Sequence, residues 1–309
     1  MVNNKLKAYI DLFRFTLGFL SGFAVLSAGF IVYVLKGHSP NFLNFFLSNG
    51  VLEWSGIFLG LFATMLLTWC NQSINDYFDV ETDIANKRFD RPLARGDLNR
   101  NFVRNLTAIM YITAVLIILL LVQFYDVTIS LLLLTLIFVF IGVSYNLGIK
   151  QLGFLGNIWV ASGYVAPLFV GFFLLNPNDE LTIFACILIL NSTFFLALGR
   201  EIIKDIQDYE GDKQQNLNSL AIKIGPRKAG IVAVFLFLIT FGSSVIVGLF
   251  IYQNLVFWLF DGFFLTILIL TGYTILTEQT QGGKKARKYT RWSMWVALGA
   301  FFFGIFFLP

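Results

Sequence analysis

Nine apolar stretches follow one another along the chain, at about 12–35, 51–74, 105–124, 127–146, 154–175, 181–200, 229–250, 255–276 and 291–308. A helix rising 1.5 Å per residue crosses the hydrocarbon core of a bilayer in ~20 residues, so each stretch can span it. Inside lipid, open sheet edges and irregular backbone leave polar groups unpaired, which restricts such stretches to helices. Composition agrees: with 57% hydrophobic and only 13% charged residues, and a mean hydropathy of +0.77, 309 residues are too apolar for a soluble domain. The expectation is an all-α, polytopic membrane protein, nine transmembrane helices bundled around a central cavity. No soluble domain or long linker interrupts the series, so residues 1–309 read as one domain.

The first stretch follows Lys5 and Lys7 but exceeds the apolar core of a secretion signal, and no small-residue cleavage site follows. It reads as a retained helix. Gly18 and Gly22 within it have the spacing that lets helices approach closely. Cys70 and Cys186 both fall inside apolar stretches and carry no metal-ligand spacing, so neither a disulfide nor a metal site is expected of them. The single histidine, His38, falls in a connecting loop and reads as a solvated residue.

The basic residues orient the bundle. With nine alternating spans, one face collects Lys5, Lys7 and Arg14, then Lys87, Arg88, Arg91, Arg95, Arg100 and Arg104, then Lys150. The same face receives Arg200, Lys204, Lys213, Lys223, Arg227 and Lys228, and finally Lys284, Lys285, Arg287, Lys288 and Arg291. Only Lys36 falls on the other side; a count of eight spans would scatter these charges. The positive-inside rule makes the crowded face cytoplasmic, with the N-terminus inside. The net charge of +4 thus concerns orientation and anionic lipid headgroups, and gives no argument for nucleic acid. The cytoplasmic loops 75–104 and 200–228 are long and charged, whereas the outer loops are short and nearly uncharged, which places function on the inner side.

Two of those inner segments repeat one another. Residues 75–83 read NDYFDVETD and residues 204–212 read KDIQDYEGD; both carry Asp at positions 2, 5 and 9 and Glu at position 7. Each follows an even-numbered span, so the chain reads as two pseudo-repeated halves, about 1–150 and 151–309, sharing one site. If the second helix continues through the first motif, Asn75, Asp76, Asp79 and Asp83 fall within an arc of about 100°, joined by Asn71, while Glu81 points away. Glu201, Asp205, Asp208 and Asp212 share an arc of about 60°, with Glu210 off it. Carboxylates ranked side by side repel unless a cation sits between them, and Mg²⁺ characteristically joins one or two carboxylates to phosphate oxygens. Two facing ladders can hold two such ions and bridge a diphosphate. Lys87, Arg88, Arg91, Lys150, Lys204 and Lys213 interleave with them as phosphate donors. A charge-rich loop is ordinarily a solvated face, but two with one spacing, partly at membrane depth, point to a site.

These segments resemble known motifs. NDYFDVETD resembles the NDxxDxxxD motif of the UbiA superfamily of intramembrane prenyltransferases, and KDIQDYEGD resembles its DxxxD motif. RFDRPLARG is similar to the family's RP-containing stretch, and SYNLGIKQLGFLGN at 144–157 to its Tyr-and-Lys loop and Gly-Asn pair. Within the family, REIIKDIQDYEGD followed by NSLAIKIG is most similar to the archaeal-type digeranylgeranylglyceryl phosphate synthases. The resemblance implies Mg²⁺-dependent transfer of a geranylgeranyl group from its diphosphate to geranylgeranylglyceryl phosphate, in ether-lipid (phospholipid) biosynthesis at the cell membrane. It implies metal held by Asn75, Asp79, Asp83, Asp208 and Asp212, with Asp76 and Asp205 as auxiliary ligands or supporting groups. Arg88, Arg91 and Lys150 would take up charge on the leaving diphosphate, with Asn71 nearby, and Tyr145 could face an allylic cation. Arg14, Arg200 and Lys204 are candidates for an acceptor phosphate.

Two rival readings are weighed against this. An aromatic acceptor, of hydroxybenzoate, homogentisate or naphthoate type, would need fewer cations. An ion-coupled transporter predicts acidic groups deep in several helices and on both faces, yet 11 of the 18 acidic residues cluster in 76–97 and 201–212. No obligatory protein partner is expected.

Overall fold

Where the apolar stretches end, the helices do not. The computed structural model describes residues 2–41, 44–45, 50–85, 88–125, 129–214 and 218–308, none of them in a strand. Among them nine helical segments are long and apolar enough to cross a membrane, and the protein is a multi-pass membrane protein. The helices are α1 (Val2–Phe13), α2 (Phe15–Leu35), α3 (Gly50–Phe78), α4 (Val80–Ala85), α5 (Arg100–Phe124) and α6 (Ile129–Leu147). They continue as α7 (Phe154–Tyr164), α8 (Ala166–Leu174), α9 (Glu180–Gln207), α10 (Tyr209–Gln214) and α11 (Leu220–Ile224). Last come α12 (Pro226–Val247), α13 (Leu255–Glu278) and α14 (Gly283–Gly304).

Four features depart from the hydropathy pattern. The first stretch does not begin a single helix near residue 12: the backbone turns left-handed at Arg14 (φ 48°), separating a short α1 from α2. Apolar Ala8 and Leu12 of α1 are buried while Lys5, Leu6 and Lys7 are exposed, the pattern of a helix lying along an interface. The fifth span breaks at Val165, because Pro167 cannot donate into a continuing helix. Helix α9 continues past its apolar stretch to Gln207, carrying Arg200 to Asp205 in regular helix. Helix α14 starts at Gly283, before its apolar stretch.

Three apolar clusters hold the bundle. One joins α1, α2, α3, α5, α6 and α8 through Leu12, Trp69, Ile118, Leu131 and Val170. A second joins α7, α9, α12, α13 and α14 through Ala161, Ile202, Phe237, Phe264 and Ile275. A third, rich in aromatics, ties the two groups together through Phe30, Phe45, Phe172, Tyr252, Phe257 and Phe301. Gly18 and Gly22 lie at a close helix crossing: a Cβ on Gly18 would strike the Trp69 indole, and one on Gly22 would crowd Met65. The cysteines are free and buried. Many other large apolar side chains, such as Phe235, Leu238, Phe250 and Phe263, are exposed, as a lipid-facing surface requires. His38 stacks on Tyr33 (centroids 4.4 Å apart) at the end of α2 away from the acidic motifs.

Candidate active site

Both acidic motifs fold in the same way. Helix α3 stops at Phe78, Asp79 bends, and α4 takes over; helix α9 stops at Gln207, Asp208 turns, and α10 takes over. The bends fall at the same position of the repeat, its middle aspartate. Neither bend breaks the helical path, since the Asp79 and Asp83 amides donate to the Asn75 and Asp79 carbonyls at 3.0 and 2.7 Å. In the second motif the Asp208 and Asp212 amides donate to Lys204 and Asp208 at 2.9 Å each. Glu81 and Glu210, the acids expected off the face, are exposed, and Glu81 pairs instead with Arg100 at 2.5 Å.

In the first motif the carboxylates hold cations drawn from distant parts of the chain. Lys150 Nζ donates to both Asp79 oxygens, at 2.9 and 2.8 Å. Asp83 lies 3.4 Å from Arg88. Asp76, 1% exposed, receives Arg14 at 2.5 Å and Arg91 at 3.1 Å on one oxygen, while its other oxygen has no hydrogen-bond partner. Arg14 also donates to Gln72. Asn75 donates to Asn146 at 3.0 Å, and Asn71 accepts from the Tyr111 hydroxyl at 2.6 Å. Asn71 thus braces α3 against α5, and Asp76 is a hub for two arginines. Lys87 lies outside the described residues.

In the second motif Asp205 accepts from Asn157 Nδ2 at 2.7 Å. Glu201, 4% exposed, takes Arg200 at 2.7 Å and Lys204 at 3.4 Å. Arg200 Nη1 also donates to the Tyr164 hydroxyl at 2.6 Å. Asp208 accepts from Gln207 at 3.3 Å.

The segment linking α6 to α7 brings the motifs to one place. A turn at Gly148 and Gly153 (φ 63°) aims Lys150; a Cβ on Gly153 would run into the Asn218 carbonyl, so only glycine lets the two loops meet. Lys150 acts electrostatically on Asp83 of the first motif and on Asp212 of the second. Tyr145 feels the charges of Lys204, Glu201 and Asp205 of the second motif and of Asp79 of the first. Burial pushes the Asp83 carboxyl above the usual range, with Asp79 adding and Arg88 opposing; burial and the neighbouring Asp208 do the same to Asp212.

Among the described residues no three acidic, histidine or cysteine side chains close on a metal by themselves. The donor set nevertheless suits a hard cation that keeps positions for phosphate and water. It is all oxygen, and Asp83 and Asp212 each feel the charge of a neighbouring carboxylate, Asp79 and Asp208 respectively.

Tyr164 and Arg287 lie outside the motifs that the sequence displays, whereas Asn157 is the Asn of its Gly-Asn pair. Tyr164 and Asn157 come from the fifth span and act on Arg200 and Asp205. Arg287 of α14 sits near Arg200, Glu201, Asp208 and Tyr164. It lies in a buried stripe with Gly283, Ala286 and Thr290 at helical spacing, a pattern that could have separated it from the neighbouring lysines. Asp261, buried in α13, accepts from Ser244 of α12 at 2.5 Å, far along the helices from the motifs.

Comparison with known proteins adds the family context. A profile of the UbiA prenyltransferase family matches residues 39–307. Digeranylgeranylglyceryl phosphate synthase of Archaeoglobus fulgidus is 31% identical over 311 residues, covering 97% of this chain and 96% of that protein. The enzyme of the same name from Saccharolobus solfataricus is 32% identical over 265 residues, covering 83% and 87%. A solved digeranylgeranylglyceryl phosphate synthase superposes with a TM-score of 0.72 at 22% identity, over 98% of this chain and 99% of that one. A UbiA homolog from Archaeoglobus fulgidus bound to DMAPP and Mg²⁺ superposes with a TM-score of 0.63 at 17% identity, over 95% and 98%.

Proposed function

The chain belongs to the UbiA prenyltransferase family, and on that premise we propose that it transfers a geranylgeranyl group from geranylgeranyl diphosphate to geranylgeranylglyceryl phosphate. The observation that carries this reading is the convergence of two like-folded acidic motifs on Lys150 and Tyr145. Relatives covering nearly its whole length bear the synthase name, which favours the glyceryl phosphate acceptor over an aromatic one.

Asn75, Asp79 and Asp83 would hold one Mg²⁺, and Asp208 and Asp212 a second. Bound there, the ions neutralise the donor diphosphate and make it a better leaving group. Lys150, Arg88 and Arg91 donate charge-assisted hydrogen bonds to the same phosphates. Lys150, which donates to both Asp79 oxygens, stands beside this site and is placed to donate to a phosphate oxygen as well. As the C1–O bond lengthens, the ring face of Tyr145 lies toward the developing allylic cation, and the acceptor hydroxyl attacks C1. Asp76 and Asp205 act one step away: Asp76 fixes Arg14 and Arg91, and Asp205 is itself fixed by Asn157. The two halves, about 1–150 and 151–309, descend from one repeated unit in this reading, and the motif face is cytoplasmic with the N-terminus inside.

The test is transfer from labelled geranylgeranyl diphosphate to a panel of phosphate-bearing and aromatic acceptors, with and without chelator. Activity on the glyceryl phosphate that chelator abolishes, and that Asp79→Asn and Asp208→Asn each reduce at least ~100-fold, supports the proposal. Transfer to an aromatic acid alone, or transfer indifferent to chelator, overturns it.

A further inference from the structure

The cationic cluster at the inner end of α9 gathers three positive groups around Glu201. Arg200 and Lys204 pair with Glu201, and Arg287 of α14 acts on the same carboxylate from farther off. Asp205, engaged by Asn157, and Asp208, of the metal-binding motif, lie nearby. Arg200 is only 8% exposed, and the Nε atoms of both Arg200 and Arg287 are buried without a hydrogen-bond partner. A buried donor left without an acceptor is costly, and a simple brace between helices supplies an acceptor for neither.

The backbone is shaped to deliver Arg287 there. Gly283 packs directly on α9: a Cβ at that position would lie 2.7 Å from the Gln207 Cα. Arg287, one helical turn on, therefore faces α9 as well, whereas Lys284, Lys285, Lys288 and Arg291 point outward and are exposed. Tyr164 holds Arg200 from the other side, by its hydroxyl at 2.6 Å and by its ring, 5.5 Å from the guanidinium carbon. Arg14 belongs to the other motif, where it is held by Asp76 and Gln72.

We propose that Arg287, Arg200 and Lys204 form a phosphate-monoester subsite that reads the acceptor, with Arg287 as its specificity-determining residue; this rests on the acceptor being a prenylglyceryl phosphate. A phosphate monoester carries about −1.5 to −2 charges at pH 7 and three strong acceptor oxygens, which suit three clustered cations with two unpartnered guanidinium donors. The subsite lies one helical turn from Asp205 and Asp208, on the side of the second motif. A bound monoester there sets its glycerol next to the reacting centre while leaving Lys150, Arg88 and Arg91 for the donor diphosphate.

The experiment compares Arg287→Gln, Arg287→Lys and Lys204→Gln with the unaltered protein, with geranylgeranylglyceryl phosphate and its dephosphorylated alcohol as acceptors. Arg287→Gln and Lys204→Gln are expected to raise the KM for the phosphorylated acceptor about ten- to a hundredfold, with the donor KM within twofold. The preference for phosphorylated over dephosphorylated acceptor falls with it, Arg287→Lys recovers part of the loss, and thermal stability in detergent is unchanged. Inorganic phosphate competes with the acceptor and not with the donor. A rise in donor KM, alone or equally, shows that the cluster serves the diphosphate and overturns the proposal. A lowered Tm with both KM values intact assigns a bracing role and also overturns it. Should the unaltered protein transfer nothing to a phosphate-bearing acceptor, the parent reading fails; normal transfer with an acceptor KM insensitive to Arg287 and Lys204 sinks the subsite alone.

Discussion

Replacing Lys150 with alanine separates two roles that one side chain plays. Lys150 bridges both oxygens of Asp79, yet the lysine is 38% exposed and the aspartate 20%. An ion pair so open to solvent contributes about 0.2–1 kcal/mol to stability. The variant should therefore melt within about 2–4 °C of the unaltered protein. Lys150 and a bound Mg²⁺ would compete for the Asp79 carboxylate, so removing Lys150 should tighten metal binding in the absence of substrate. The same 0.2–1 kcal/mol corresponds to about 1.5- to 5-fold in affinity, since 1.4 kcal/mol is tenfold. Turnover should move the opposite way. A lost hydrogen bond to a charged phosphate is worth about 1.5–3 kcal/mol, or roughly 10- to 150-fold in kcat/KM for the donor. Calorimetric titration of Mg²⁺ into the purified protein, alongside steady-state kinetics with varied geranylgeranyl diphosphate, measures both quantities. Metal affinity and kcat/KM falling together would refute the reasoning, because Lys150 would then be supporting the metal site and not competing for it.

Other outcomes follow from the same geometry. Because Asp83 and Asp212 bind protons more tightly than ordinary aspartates, Mg²⁺ affinity should weaken on acidification at a pH above the usual carboxylate value of ~3.9, and added Mg²⁺ should restore it. The sign for stability is opposite: groups with raised folded-state pKa stabilise the metal-free protein at low pH and lose that contribution as pH rises through the raised values, so its Tm should climb on mild acidification; a flat Tm and a pH-independent Mg²⁺ requirement would contradict both. Asp261→Ala removes the Ser244 contact between α12 and α13 and should cost about 0.6–1.7 kcal/mol in detergent unfolding without changing the KM for donor or acceptor. Single cysteines at Lys285 and Lys36 should label from opposite membrane faces, since the native cysteines are buried; labelling of both from one face would reject the nine-span topology.

Much of this protein is legible in one dimension because its strongest constraints are local. A bilayer imposes a length and a hydropathy on each span, so the nine stretches reappear as nine spanning segments among the described residues, although the fifth is broken at Val165 and α9 and α14 run well past their apolar stretches. Charge asymmetry acts loop by loop, and the carboxylate faces follow from helical spacing within twelve residues or fewer. The bends at Asp79 and Asp208 and the left-handed turn at Arg14 were not visible, because each is decided by what the residue meets from elsewhere. Asp76 and Arg14 are 62 positions apart, Asp79 and Lys150 are 71, and Asn157 and Asp205 are 48. In sequence Arg287 is one basic residue beside Lys284, Lys285 and Lys288; the close approach of Gly283 to α9 turns it inward. By itself the sequence determined the spans and the two acidic motifs, since hydropathy and helical periodicity are properties of short windows. Tertiary structure alone decided which cation neutralises which carboxylate and which arginines keep an unpartnered nitrogen, because those pairings depend on helix packing that brings distant windows together.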